Sequence, residues 1–333
     1  MAANNPLLQI KPHQVSKDLR GYSMFFYGAP KTGKTTIASH FPGALLLAFE
    51  KGYNAIPGIM VQPIESWGEF KKTLTYLKDE EVRKVFQTVI IDTADIAYAL
   101  CEKYICSRES TAQVTYDTIS DLPYGKGYAL ASTEFDEALR KILQLNYGLI
   151  IISHDTDKTF KNEQGEEYQQ IVPTLDRRAR LVCERTCDLI GYARCLDEND
   201  KTAPATLFLR GSGRFIAGSR FRHTPNSIPF TYEALVEAIA NAVAEEEKEY
   251  GSSVVTSENN NHKIYADTPE YDYDALMAEI QNVIGELMQK NQSIGPKITA
   301  IVEKHLGKGK KVSECTAAQA ALLDLILFDL KRL

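Results

Sequence analysis

The sequence predicts an α/β fold in which a mainly parallel, doubly wound β-sheet is covered by helices on both faces. Short apolar runs alternate along the chain with segments of helical periodicity. The runs at 44–49 and 149–153, ALLLAF and LIIIS, lack the alternation of a strand with one wet face, so they indicate strands buried on both faces. Buried strands alternating with helices are typical of doubly wound sheets.

The individual elements follow from these patterns. Apolar runs predict strands at 24–27, 44–49, 59–62, 88–91, 149–153 and 189–196. Helical spacing predicts one helix ending near residue 40 and others at 66–78, 96–105, 128–145, 174–187 and 232–247. Ser66 and Glu69 have the spacing of a capping box. Residues 205–210 and 214–217 predict a hairpin that adds an antiparallel edge.

Composition divides the chain into two folded parts. Residues 250–270 lack helical periodicity and are rich in Ser, Asn and acidic residues, which indicates a linker. Three helices are predicted beyond it, at 275–289, 296–306 and 317–330. We therefore predict an N-terminal arm at 1–20, a core domain at 21–248, an acidic flexible linker at 249–271 and a small helical C-terminal domain at 272–333.

The 333 residues, 44% apolar and 25% charged, have the composition of a soluble protein. No apolar run approaches the ~18 residues of a membrane span, and the first residues lack the apolar core of a signal peptide. We therefore expect a cytoplasmic protein without a membrane partner. Residues 245–274 hold two Lys/Arg and nine Asp/Glu, so the net charge of −6 is local and argues only weakly against a nucleic-acid partner.

The six cysteines form no CxxC pair. Cys183 and Cys187 lie four residues apart, on one face of a predicted helix and beside apolar residues. This setting favours core packing over metal binding, and reduced, buried thiols are expected.

Residues 28–35, GAPKTGKT, match the phosphate-binding loop pattern GxxxxGK[ST]. The motif lies between a predicted strand and a helical segment, which is the setting it requires. Its glycines permit tight turns and a close approach of the backbone to phosphate. Lys34 would bind the β- and γ-phosphates, and Thr35 would hold Mg²⁺. The predicted nucleotide contacts are Gly28, Ala29, Pro30, Lys31, Thr32, Gly33, Lys34, Thr35 and Thr36.

Polar side chains at three further strand ends complete the predicted site. Asp92 would hold Mg²⁺ opposite Thr35, unless it is a simple strand-end carboxylate. Glu50 is the candidate to activate water for hydrolysis, with an ordinary surface carboxylate as the alternative. His154 would sense the γ-phosphate or serve only as a satisfied strand-end histidine. No guanine-reading NKxD motif is present, so ATP with Mg²⁺ is expected.

Four segments resemble the RecA-type ATPase core, in the same order: ALLLAFEKGYNAIPG, IMVQPIESWGEFKKTL, TVIIDTADIAYAL and LIIISH. The first resembles the strand with the catalytic glutamate, the third the Walker B strand and the last the nucleotide-sensing strand, where RecA has glutamine. FIAGSRFRHTPNSIPF places Arg220 and Arg222 where RecA carries two cations that reach a neighbour's ATP; otherwise they are solvated hairpin cations. The resemblance implies a RecA-like ATPase with the catalytic set Lys34, Glu50, His154, Arg220 and Arg222.

The segments GAPKTGKTT, LPYGKGY, IIISH and PTLDRRARLVCERTCDLIGYAR resemble more closely a phage family of single-core RecA-like nucleotide-binding proteins. Some of these act as Sak-type single-strand annealing proteins. The resemblance covers roughly residues 20–244. It implies a recombination protein in the bacterial host cytoplasm that binds single-stranded DNA and anneals or pairs strands as a homo-oligomer, a ring or a filament. The helical tail resembles C-terminal domains of phage recombination proteins that contact a single-strand-binding protein.

Two polar stretches, 107–127 and 155–172, occupy the positions of RecA's DNA-binding loops. They combine aromatic rings, which stack on bases, with cations, which follow phosphates. The predicted DNA contacts are Arg108, Tyr124, Lys126, Lys158, Phe160 and Lys161. Two other functions stay open. One is a nucleotide-switched adaptor that recruits a partner protein through its helical tail, and the other is a small-molecule kinase, for which no lid or acceptor motif is found.

Overall fold

The structure is a computed structural model that describes residue 10 and residues 12–196, 204–257 and 271–333. The strands are β1 Val15–Ser16, β2 Ser23–Gly28, β3 Ala44–Ala48, β4 Met60–Pro63, β5 Thr88–Asp92, β6 Gly148–Ser153, β7 Asp155–Lys161, β8 Glu167–Pro173, β9 Leu189–Arg194, β10 Thr206–Phe208, β11 Gly218–Ser219, β12 Ser227–Pro229 and β13 Val255–Thr256. The helices are α1 Lys34–Ser39, α2 Trp67–Tyr76, α3 Glu80–Val85, α4 Ala94–Glu109, α5 Lys126–Gln144, α6 Arg177–Thr186, α7 Tyr232–Tyr250, α8 Tyr273–Lys290, α9 Gly295–Leu306 and α10 Ala320–Leu330. None of these helices is long and apolar enough to cross a membrane.

Within the described residues, nine strands form one sheet in the order β12–β10–β9–β2–β6–β5–β3–β4, with β11 also paired to β9. The six strands from β9 to β4 are parallel, whereas β10 and β11 run antiparallel to β9. The predicted mainly parallel sheet with an antiparallel edge is therefore confirmed. The order places β6 between β2 and β5.

The two faces of this sheet bury alternate residues of the same strands. Phe25 in β2 belongs to the core layer of α2, α4, α5 and α6, whereas Met24 and Phe26 belong to the layer of α1 and α7. Successive side chains of a strand point to opposite faces, and here both faces are dry, so the strands have continuous apolar sequences. Cys183 and Cys187 are buried in the first layer as free thiols.

The hairpin predicted from 205–210 and 214–217 is wrong. Residues 206–208 pair with β9 and β12 instead. Long-range hydrogen bonds hold the residues that follow β10: Leu209 donates its backbone N–H to the carbonyl of Asn226 (2.8 Å), and the guanidinium of Arg210 donates to the carbonyls of Phe221 (2.8 Å) and Arg222 (2.6 Å). The Gly-Ser-Gly sequence indicated a turn correctly but could not identify the strand that pairs with β10.

The end of the predicted arm forms a two-stranded sheet with residues of the predicted linker. β1 pairs in parallel with β13, so residues 255–256 form regular structure where a flexible segment was expected. Residues 1–9 and 11 of the predicted arm and 258–270 of the predicted linker lie outside the described residues. The chain divides into two compact units, Met1–Ala266 and Asp267–Leu333. In the second unit, α8, α9 and α10 pack around Ile280, Leu323 and Ile326.

Helix α2 begins with a side-chain cap. Ser66 Oγ accepts from the N–H of Glu69 (3.2 Å), and Glu69 Oε2 accepts from the N–H of Glu65 (2.8 Å), so the return bond of the predicted capping box is shifted by one residue. We expect Ser66→Ala to lower the free energy of unfolding by about 1 kcal/mol in urea denaturation. Ser107→Ala, on the exposed side of α4, should not lower it, because alanine is the better helix former. Equal losses in both variants would contradict the cap.

Candidate nucleotide-binding site

The phosphate-binding loop joins β2 to α1. Gly28 has φ +154°, and a Cβ atom there would stand 2.1 Å from the carbonyl oxygen of Ala193 in β9. Glycine is therefore needed for β2 and β9 to lie this close. Gly33, with φ +87°, is the N-cap of α1. Both glycines hold backbone conformations that other residues adopt only with strain.

The side chain of Lys34 lies inside this loop. The residue is 5% exposed, and its Nζ donates to the carbonyl oxygens of Gly28 (2.7 Å) and Ala29 (2.8 Å). Burial lowers the pKa of Lys34, and the charge of Asp92 opposes that shift. Phosphate oxygens are stronger partners for an ammonium than neutral carbonyls, so Lys34 is placed to transfer its hydrogen bonds to a bound phosphate.

Thr35 and Asp92 are in direct contact. Thr35 Oγ1 donates to Asp92 Oδ2 at 2.6 Å. Burial raises the pKa of Asp92, the hydrogen bond from Thr35 opposes that shift, and the charge of Glu50 adds to it. A hydroxyl and a carboxylate at this separation are hard oxygen ligands of the kind that Mg²⁺ prefers.

Glu50 and His154 meet across the end of β5. Glu50 follows β3, His154 follows β6, and β5 lies between these two strands. His154 Nε2 is 3.7 Å from Glu50 Oε2. The structure therefore brings together the predicted catalytic glutamate and the predicted sensor, while their roles stay predictions.

Asp95, in the first turn of α4, was missed by the sequence reasoning. Its Oδ1 accepts from Ser153 Oγ (3.1 Å) and from Thr174 Oγ1. Thr174 also donates its backbone N–H to the carbonyl of His154 (2.9 Å). Asp95 thus ties the end of β6 to the end of β8. Its spacing of three residues after Asp92 was the signal that could have identified it.

Comparison with known protein families identifies this arrangement. Residues 20–221 match the sequence model of a family described as AAA domain, which is a family of P-loop NTPases. The matched region is more than half of the chain and contains the loop with the four strands that surround the site. The chain belongs to the AAA domain family. The sheet and this match together confirm the predicted fold class, a P-loop NTPase core with a mainly parallel sheet.

Two known proteins are similar to this AAA domain protein. The SPbeta prophage-derived uncharacterized protein YorG of Bacillus subtilis (strain 168) is 31% identical over 325 residues, which are 96% of this chain and 95% of YorG. A crystal structure of the RadB recombinase aligns with 64% of this chain and 89% of its own chain, at 15% identity and a TM-score of 0.34. The similarity to YorG extends beyond the AAA domain into the C-terminal helices, whereas the similarity to RadB is too low to support a conclusion.

The donor atoms of this AAA domain fit a nucleotide with Mg²⁺. Around Asp92, three buried polar atoms have no hydrogen-bond partner among the described residues: Thr93 Oγ1, Asp95 Oδ2 and His154 Nδ1. Buried polar groups are normally satisfied by protein, water or a ligand. These three atoms near Asp92 therefore offer hydrogen-bonding capacity to a polar ligand or to ordered water.

The second stretch predicted to bind DNA is the antiparallel hairpin β7–β8 and not an irregular loop. One face of the hairpin carries Lys158 opposite Gln170 and Phe160 opposite Tyr168, with the two rings stacked at 5.8 Å. We call these four residues the stacking face. Tyr168 is 41% exposed and was not predicted, because its position opposite Phe160 depends on the register.

The opposite face of the hairpin is acidic. Because side chains alternate along each strand, Asp155, Asp157, Lys161 and Glu167 lie on this side. Lys161, a predicted DNA contact, is 3.6 Å from Glu167 and is turned away from the stacking face. Of the three DNA contacts predicted in this stretch, Lys158 and Phe160 therefore share one face of the hairpin, and Lys161 lies on the other.

The first predicted DNA stretch joins α4 to α5 through irregular backbone and two short 3₁₀ helices, Ile119–Asp121 and Pro123–Gly125. Arg108 lies in the last turn of α4 and pairs with Glu109 (3.2 Å) and Glu134 (3.4 Å), and Lys126 pairs with Glu109 (2.9 Å). Tyr124 is fully exposed, with φ +56°. The ring is free to stack on a base, whereas both cations are engaged by acidic side chains.

Arg220 and Arg222 follow β11, which pairs with the start of β9, so they lie near the amino-terminal ends of the parallel strands. The phosphate-binding loop lies at the opposite, carboxyl-terminal ends of these strands. Arg220 Nη1 donates to Asp188 Oδ1 (2.8 Å), and Asp188 Oδ2 accepts from the N–H of Ser23 at the start of β2. The length of β2, about 17 Å at ~3.3 Å per residue, separates this point from the loop. Arg222 pairs with Glu249 (2.8 Å). Neither arginine serves the loop of its own chain, and their action on a neighbour's ATP stays a prediction.

Proposed function

We propose that this protein is an ATP-binding phage recombination protein that binds single-stranded DNA and anneals or pairs strands as a homo-oligomer. ATP and Mg²⁺ bind at the loop with Lys34, Thr35 and Asp92, Glu50 activates water, and Arg220 and Arg222 complete the site of a neighbouring copy. The prophage origin of YorG supports a phage function in the bacterial host cytoplasm. That origin agrees with the resemblance to Sak-type annealing proteins.

The observation that carries this proposal is that the hairpin β7–β8 begins and ends at the nucleotide site. His154, which faces Glu50, is followed directly by β7. Thr174, which follows β8, donates hydrogen bonds to the backbone carbonyl of His154 and to the carboxylate of Asp95. A movement of Glu50 or Asp95 on ATP binding or hydrolysis would therefore displace His154 or Thr174, the residues that flank the hairpin.

The stacking face has the chemistry that a single strand requires. Two adjacent rings offer platforms for bases of any sequence, and Lys158 offers an ammonium to the phosphates. The acidic face of the same hairpin repels phosphates. This asymmetry directs DNA to one side of the hairpin.

The proposed activity is tested by annealing two complementary oligonucleotides that carry a donor and an acceptor fluorophore. We expect the protein to accelerate annealing above the spontaneous rate, and electron micrographs with ATP and single-stranded DNA to show rings or filaments. An annealing rate equal to that without protein, in ATP, in ADP and without nucleotide, would overturn the annealing function.

The stacking face gives a sharper prediction. Replacing Phe160 or Tyr168 with alanine should weaken binding of a single-stranded oligonucleotide about tenfold, because one stacked base contributes about 1–3 kcal/mol. Fluorescence anisotropy at low salt measures the affinity. Thr159→Ala, on the opposite face of the same hairpin, is the matched control and should bind as the parent does. Equal loss in all three variants would show that the hairpin's fold, and not its stacking face, determines binding.

A nucleotide-switched adaptor is the second candidate function. Helix α10 exposes Leu325 (47%) and Phe328 (54%), two large apolar side chains that suit a protein partner such as a single-strand-binding protein. In this case the C-terminal helices recruit the partner, and hydrolysis is negligible. Absence of affinity for single-stranded DNA at low salt would favour the adaptor.

A further inference from the structure

One histidine and two glutamates meet at the C-terminal end of α7, outside the nucleotide site. His223 follows Arg222, whereas Glu246 and Glu249 are three residues apart and share one face of α7. His223 Nε2 is 3.6 Å from Glu246 Oε1 and 3.4 Å from Glu249 Oε1. One donor atom from each residue lies within 4.8 Å of the other two.

The imidazole nitrogen at the centre of this cluster is unsatisfied. His223 Nε2 is buried from solvent and has no hydrogen-bond partner among the described residues. Both carboxylate oxygens lie beyond the usual 2.7–3.2 Å of a hydrogen bond. The nitrogen lies within ion-pair distance of both carboxylates, and a metal ion between the three groups would satisfy it.

We propose that His223, Glu246 and Glu249 bind Zn²⁺, with water as the fourth ligand. Zinc–ligand bonds of 2.0–2.2 Å in a tetrahedron place neighbouring ligands about 3.3–3.6 Å apart, which is the range of the two separations measured here. Imidazole is a ligand of zinc and similar transition ions, whereas Mg²⁺ and Ca²⁺ prefer oxygen alone. The site is therefore chemically distinct from the pair Thr35–Asp92.

Neighbouring groups hold these ligands in place. Phe221 is buried against the ring of Tyr22, and the buried Thr224 donates its hydroxyl to the carbonyl of Phe221 (3.1 Å), which fixes the backbone on both sides of His223. Arg222 donates to Glu249 Oε2, so the other oxygen of this carboxylate faces His223. Such contacts to the outer atoms of ligands orient metal sites.

Charge and connectivity add to the geometry. The two carboxylates and the guanidinium of Arg222 together leave one negative charge at the cluster, which attracts a cation. The ion joins the segment around Arg220 and Arg222 to α7. Zinc thus stabilises that segment of the fold.

The test uses the full chain with Cys195→Ser, which removes an exposed thiol that could bind zinc. After chelation and dialysis, Zn²⁺ is titrated by calorimetry, and Co²⁺ absorption reports tetrahedral coordination. We expect one equivalent bound, with affinity lowered at least about tenfold by His223→Gln, Glu246→Gln or Glu249→Gln. Glu245→Gln removes the same charge from the same helix, and Lys34→Ala alters the loop; both should bind zinc as the parent does.

Thermal unfolding separates ligation from misfolding. Zinc should raise the melting temperature of the parent and not that of His223→Gln, whereas the two proteins should melt alike in chelator. Absence of zinc binding by the parent, or equal binding by the three ligand variants, would overturn the site. A loss in Glu245→Gln equal to that in Glu246→Gln would show a general charge effect and would also overturn it.

Discussion

Replacing Lys34 with alanine is expected to abolish ATP binding. The ammonium group is held inside the loop by the carbonyls of Gly28 and Ala29, where it is placed to bind the β- and γ-phosphates. Each hydrogen bond to a charged group contributes about 1.5–3 kcal/mol. Loss of two such bonds lowers the binding free energy by about 3 kcal/mol or more, so the affinity falls about a hundredfold or more in calorimetry.

The matched control for this variant is Lys78→Ala. Lys78 is exposed and follows Leu77, whose carbonyl oxygen accepts a hydrogen bond from the hydroxyl of Tyr147. Because Tyr147 directly precedes β6, Lys78 lies near the amino-terminal ends of the parallel strands, away from the loop. This variant loses the same charge and should bind ATP as the parent does. Unchanged ATP affinity in Lys34→Ala would show that the whole site is wrongly assigned.

Replacing Glu50 with glutamine is expected to stop hydrolysis and leave ATP binding in place. Glu50 follows β3, lies next to His154 and is close enough to Asp92 to affect its pKa. Glutamine keeps the size of the side chain and removes its ability to accept a proton from water. A positioned general base contributes about 10²–10⁴-fold to a rate, so phosphate release should fall about a hundredfold or more.

A binding measurement and a control variant distinguish a catalytic role of Glu50 from a structural one. Calorimetry with ATP shows whether binding is intact, and Glu137→Gln, an exposed carboxylate on α5, controls for the loss of charge. Hydrolysis at the parent rate would identify Glu50 as an ordinary carboxylate. Simultaneous loss of ATP binding would show that Glu50 maintains the pocket and is not specific to the chemical step.

The loop and the strand ends could be predicted because each has a local cause. The spacing of Gly28, Gly33 and Lys34 follows from the backbone turns and the expected phosphate contact of the eight-residue motif 28–35. Asp92 follows a continuous apolar run that only a buried strand explains. Parallel strands end at a common edge, so residues that follow such runs were expected to meet there.

The hairpin β7–β8 could not be predicted in the same way. Its strands are polar and largely exposed, so they show no alternation of buried and exposed residues. Its structure depends on cross-strand pairs such as Phe160 and Tyr168, which only the register reveals. Asp95 was missed for a related reason, since its partners Ser153 and Thr174 are 58 and 79 residues away in the sequence.

The most direct test of the proposed function is fluorescence anisotropy of a labelled single-stranded oligonucleotide at low salt, with and without ATP and Mg²⁺. We expect the parent to bind DNA with an affinity that changes when ATP is added. Lys34→Ala should still bind DNA and should lose the response to ATP. Absence of DNA binding by the parent under these conditions would contradict the proposed recombination function and favour the adaptor.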